Sequence, residues 1–109
     1  MALGGVVVKE IAAVAVTAGT PATVWTPAGG KRFRLCGWSL GVGAAASIIF
    51  KEGAGSTAIG VRTPVLPING VDSQPGLWPG VLSAAADNVL KVDVSANATV
   101  SGYVWGFEE

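Results

Sequence analysis

Apolar and polar side chains alternate most regularly near the C-terminal end of the chain. Leu90, Val92 and Val94 are interleaved with Lys91, Asp93 and Ser95, the period of two expected of a strand with one buried and one solvated face. Val100, Gly102 and Val104 are interleaved in the same way with Thr99, Ser101, Tyr103, Trp105 and Phe107. Pairing decides where the aromatic side chains point, because slipping a strand by one residue turns every side chain over. With Ala96-Asn97-Ala98 as the loop, Val94 faces Val100, Val92 faces Gly102 and Leu90 faces Val104, so the apolar sets coincide. A loop shorter by one residue would mix polar with apolar on both faces. The pattern therefore predicts a hairpin with Tyr103, Trp105 and Phe107 on its outward face, beside Lys91, Asp93, Thr99 and Ser101.

The same reading runs upstream. Val6 to Val16 is a first strand, closed by the turn-forming Thr17-Ala18-Gly19-Thr20-Pro21. Ala22 to Thr26 is a short second strand, and Lys31 to Val42 a longer third one. Neither alternate set of that third strand is polar throughout, which predicts a strand that changes environment along its length. Ser47 to Glu52 and Thr57 to Arg62 are further strands around the turn Gly53-Ala54-Gly55-Ser56. From Thr63 to Gly80, four prolines and three glycines exclude a helix and disfavour a central strand, leaving a long ordered loop or edge segment. Loops of that length in a small domain usually carry function or contact something.

Seven or eight short strands with turns at close intervals predict one all-β domain over residues 1–109. The expected architecture is an antiparallel β-sandwich, a jelly roll first and an immunoglobulin-like sandwich as the alternative. Whether residues 1–8 are an independent strand or an extended arm reaching to a neighbour stays open at this point. Three outward rings in water would forfeit about 1.5 to 3 kcal/mol of burial each, so something is expected to cover them. Either the N-terminal strand or the Pro-rich loop folds over that face, or a neighbouring subunit does.

Composition narrows the chemistry. The chain has 109 residues with seven basic and seven acidic side chains, so no net field draws it to nucleic acid or an anionic membrane. The uncharged run from Leu35 to Phe50 is shorter than the roughly 20 residues of a spanning helix and is rich in Gly and Ser. Cys36 is the single cysteine and histidine is absent, which removes an internal disulfide and the commonest metal ligand and general base. No catalytic residue, cofactor site or metal site is expected, and no small-molecule substrate.

Individual motifs agree. Gly41-Val42-Gly43-Ala44-Ala45-Ala46 matches the glycine spacing of a dinucleotide fingerprint. It is followed at once by the strand-like Ser47-Ile48-Ile49-Phe50 instead of a helix, so a thin bend is expected. Asn97-Ala98-Thr99 has the form of a glycosylation acceptor but is explained by the turn. Asp87 and Asp93 read as carboxylates on a solvated face. Lys31-Arg32-Phe33-Arg34 is the one basic cluster, and reads as a solvated strand entrance or a salt-bridging patch at a protein interface.

Several stretches together resemble small all-β proteins encoded among the structural genes of tailed bacteriophages. They are Trp25-Thr26-Pro27, the turn Gly29-Gly30-Lys31-Arg32, the strand closing at Lys51-Glu52-Gly53, and the terminal Val100-x-Gly102-x-Val104. The resemblance implies a jelly roll that decorates or cements the outside of a capsid. It also implies a homotrimer partnered by the major capsid protein, a virion location, and synthesis in the host cytoplasm. On that reading Tyr103, Trp105, Phe107 and Trp78, with Arg32 and Arg34, form the protein interface. A tail-fibre or spike module that stacks its rings on a glycan or receptor is the alternative.

Overall fold

β-branched and small apolar residues dominate the regular segments, and every regular element is a strand among the described residues, 5–60 and 62–109 of this computed structural model. The strands are β1 (Val7–Val16), β2 (Ala22–Trp25), β3 (Phe33–Val42), β4 (Ile48–Glu52), β5 (Thr57–Ile59), β6 (Val71–Gln74), β7 (Val81–Leu82), β8 (Leu90–Val94) and β9 (Ala98–Glu108). They form two antiparallel sheets. One has the order β1-β9-β3-β6, with β7 also paired to β3, and the other has the order β2-β8-β4-β5. The protein is thus all-β with two unclosed sheets packed as a sandwich.

The inner faces of both sheets make one core. Ile11, Phe33, Leu35, Leu40, Val42, Val100 and Val104 come from the first sheet, and Trp25, Ile48, Phe50, Leu90, Val92 and Val94 from the second. Trp25 and Phe33 bridge the layers with ring centroids 5.7 Å apart. The buried Trp25 indole N–H donates to Glu108 Oε2 at 2.8 Å, so the largest core side chain keeps its hydrogen bond. At the same end, buried Glu52 accepts from Ala84 N at 2.7 Å and Asn88 Nδ2 at 2.8 Å, fixing the turn between β7 and β8.

The expected terminal hairpin is not formed. β8 and β9 lie in different sheets: Val94 pairs with Ile48, whereas Val100 pairs with Val14 and Val42. Residues 95–97 cross from one layer to the other, anchored by Asn97 Oδ1 accepting from Ala18 N and by Ser95 Oγ accepting from Ser47 N. The apolar sets still converge, because both strands turn them toward the same interior. A shared core therefore looks, in sequence, like a shared hairpin.

Three other expectations change in detail. The third strand bulges between Leu35 and Gly37, so its inward set switches from Phe33 and Leu35 to Trp38, Leu40 and Val42. That one extra residue accounts for its unclear alternation. The Pro-rich segment contains the edge strand β6, which pairs with Trp38 to Gly41. Asp93 is not solvated: it is 2% exposed, with Lys51 Nζ at 3.0 Å from Oδ2 and Gly19 N donating to Oδ1 at 3.1 Å. The expected bend at Gly43-Ala44-Ala45 is present. Of residues 1–8, Val7 and Val8 belong to β1 and pair with Gly106 and Trp105; residues 1–4 lie outside the described set, as does Val61 in the expected strand Thr57 to Arg62.

Candidate protein interface

β9 is the middle of three long strands in the first sheet, so its outward residues form the centre of that sheet's outer face. Trp105 lies between Val8 of β1 and Gly37 of β3, Tyr103 between Glu10 and Ser39, and Phe107 beside Arg34. The row predicted on the outward side is therefore outward, although the hairpin used to place it does not exist. Gly37 is what lets the central ring settle. A Cβ there would fall 2.6 Å from Trp105 Cε2 and 2.8 Å from Cδ1, and closer still to Nε1, so the indole occupies the space a side chain would fill.

The Pro-rich loop brackets one end of the row. Trp78 meets Phe107 edge to face, with centroids 6.0 Å apart and planes at 83°, and Phe107 meets Trp105 at 6.5 Å and 71°. The loop is held there by Leu77 N donating to Cys36 O at 2.6 Å and by Arg34 Nη1 donating to Pro79 O at 2.8 Å. Its cover is partial: Trp105 and Phe107 are half-buried, whereas Tyr103 is 41% and Trp78 66% exposed. Val8, across from Trp105, is 61% exposed and extends the apolar strip onto β1. The N-terminal strand thus flanks the rings and does not fold over them.

Arg32 and Arg34 converge on the Phe107 end, but their donors are used within the chain. Arg32 Nε donates to Ser83 O at 2.8 Å, and Arg34 forms an ion pair with Glu109. The hydrogen bond from Arg34 holds the Glu109 carboxyl below the usual range, and in return Glu109 raises the Arg34 guanidinium further. Their effect on the interface is to pin the last residues of β9 and the Trp78 loop. The second sheet's outer face differs in chemistry. Lys51 sits opposite Lys91, with the Asp93 carboxylate beside them. Burial opposes ionisation of Asp93, but hydrogen bonds from Lys51, Val94 N and Gly19 N prevail and lower its pKa.

Sequence reasoning missed Val8 as part of the apolar strip. Val8 could have been found from the alternation of Val6 to Val16 once Ile11 is assigned inward. Among the described residues, no three Cys, Asp or Glu side chains are grouped to hold a metal ion. Comparison with protein families, curated proteins and solved structures returns no match. Function is therefore read from the chain's own surfaces.

Proposed function

We propose that this protein is a non-enzymatic subunit that decorates or cements the outer surface of a tailed-phage capsid, assembling through the outer face of its first sheet. The observation that carries the reading is the aromatic strip itself. Tyr103, Trp105, Phe107 and Trp78 present rings at a sheet face where a monomer gains nothing by exposing them, and Trp105 is already bedded against Gly37. The jelly-roll reading is supported by the chain path. Consecutive strands β1 to β4 alternate between the sheets, and the orders β1-β9-β3-β6 and β2-β8-β4-β5 place first beside last and second beside penultimate. A homotrimer and a major-capsid-protein footing complete the proposal by resemblance.

Sedimentation velocity, followed by pelleting with emptied capsids of a phage carrying the gene, tests it. The expected result is an oligomer, retention on capsids, and loss of both in Tyr103→Ser/Trp78→Ser, with Trp105 shielded from acrylamide only in the assembled form. A strict monomer with no capsid retention would overturn it. The alternative glycan-binding module draws on the exposed Trp78 and Tyr103 rings. Saturable glycan binding lost in Trp78→Ala, with no assembly, would favour that reading instead.

A further inference from the structure

At the edge where β5 lies across from β6 and β7, the sandwich does not close. β5 is three residues long and β7 two, too short to bring the sheets' edges together, and a cleft of about 400 Å³ enters the core there. Its floor is made of residues otherwise sequestered from water: Leu35, Ile48 and Phe50 are 1%, 2% and 7% exposed. Trp38 and Phe50 meet edge to face in its wall, with centroids 5.0 Å apart. Leu77 and Val81 complete the apolar lining.

Among the described residues, one charged side chain lines this cleft. Asp72 of β6 lines it, and its Oδ2 accepts the Trp38 indole N–H at 2.8 Å. That bond fixes the carboxylate against an aromatic wall. Oδ1 takes no hydrogen bond from the described residues, and none of the lining residues is a cation. The size falls within the roughly 300 to 1,000 Å³ range of small-ligand sites, which are mostly apolar with a few placed polar groups.

We propose that the cleft binds a compact apolar molecule bearing one ammonium group, of the arylalkylammonium class. Its apolar body lies between Leu35, Ile48 and Phe50, and its ammonium meets Asp72 Oδ1 beside the Trp38 ring. The Asp72 carboxylate, held by the Trp38 indole N–H, favours a cation at that point and disfavours an anion. A neutral hydrocarbon would fill the volume but leave the Asp72 charge unmatched in an apolar mouth. The ligand is bound and not transformed, and the site is separate from the aromatic strip on the outer face.

Titration with 2-phenylethylamine and with neutral propylbenzene, followed by amide and indole NMR shifts, tests this. The amine should perturb the Trp38 indole N–H and the Gly60, Thr63 and Asp72 amides saturably, and more tightly than propylbenzene. Asp72→Asn keeps an acceptor for Trp38 while removing the charge, so it should weaken the amine about tenfold or more and leave propylbenzene unchanged. Val81→Trp should obstruct both ligands. No saturable shift at these positions, equal loss of both ligands in Asp72→Asn, or amine binding that survives Val81→Trp would each overturn the proposal. Should Val81→Trp fail to give a dispersed spectrum, the Asp72→Asn comparison decides alone.

Discussion

Gly37→Ala tests whether Trp105 is a fixed anchor or a loose surface ring. The added Cβ would sit 2.6 Å from Trp105 Cε2 and 2.8 Å from Cδ1, inside contact distance, while Gly37 is not among the glycines with positive φ. Alanine is therefore acceptable to the backbone and unacceptable to the indole. Overpacking of this kind costs about 1 to 3 kcal/mol, and replacing a strand glycine by alanine returns about 0.5 to 1 kcal/mol of conformational entropy. The expected net loss is about 1 to 2 kcal/mol. In a Trp105→Ala background the clash is gone, and the same change should become neutral or stabilise by up to about 1 kcal/mol.

Urea denaturation followed by far-ultraviolet circular dichroism on the four proteins of this cycle gives the coupling directly. A coupling near 2 kcal/mol is expected, of the order found for residues in contact. If Gly37→Ala costs nothing in the natural chain, or costs the same with and without Trp105, the ring is not seated on Gly37. In that event the claim that the face carries a pre-positioned anchor would fail with it.

Three further outcomes are expected. Asp93 has a lowered pKa, so its stabilisation is complete above the ordinary carboxylate range and is lost as pH falls through and below it, with Glu109 adding in the same direction; urea midpoints measured against pH should fall less steeply on the acid side in Asp93→Asn than in the natural chain. Glu108→Ala leaves the buried Trp25 indole N–H without its acceptor and should cost about 1 to 3 kcal/mol by urea denaturation, whereas Glu108→Gln, which keeps an acceptor oxygen, should cost less. Cys36 is 1% exposed and burial raises its thiol pKa, so a disulfide dye should react with it fully in urea and only at the rate of structural opening in the native protein; prompt native labelling would contradict that.

Inward and outward assignments were more legible than partners. Leu90, Val92, Val94, Val100 and Val104 are all buried, and Tyr103 faces out, because period two records only which side of a strand meets the core. It does not record which strand lies alongside. β8 and β9 therefore read as neighbours when 95–97 in fact carry the chain between layers. The bulge at Cys36 was visible only as a loss of pattern, since an inserted residue spoils alternation without indicating where the parity changes. Gly37 carried no sequence signal of its role, because the space it vacates is claimed by a side chain 68 positions away. The Asp72–Trp38 contact at the cleft was equally hidden, joining an edge segment to a strand that only the sheet order brings together.

The two outer faces bear on how an assembled subunit would sit. On the second sheet, Lys51 and Lys91 face each other directly, an arrangement tolerable because Lys51 is paired with Asp93 and Lys91 Nζ donates to Ser56 Oγ at 3.1 Å. Burying that face against a partner would strip water from two ammonium groups of which Lys51 has a carboxylate partner and Lys91 a hydroxyl, which is costly unless the partner brings matching charge. The first sheet demands less, with the exposed carboxylate of Glu10 beside Tyr103 as the charge that a partner there would have to accommodate. Trp105, Phe107 and Trp78 are seated by Gly37 and by one another, and the Arg34–Glu109 ion pair is already satisfied within the chain. Side chains held in place before contact lose little freedom on binding, which lowers that part of the cost of association. On the proposed role, the subunit therefore docks with its first sheet toward its neighbours and leaves the lysine-bearing sheet in water. Exchanging Lys91 for Glu should accordingly leave assembly intact, while Trp105→Ala should weaken it; the reverse result in sedimentation would mean that the interface had been placed on the wrong sheet.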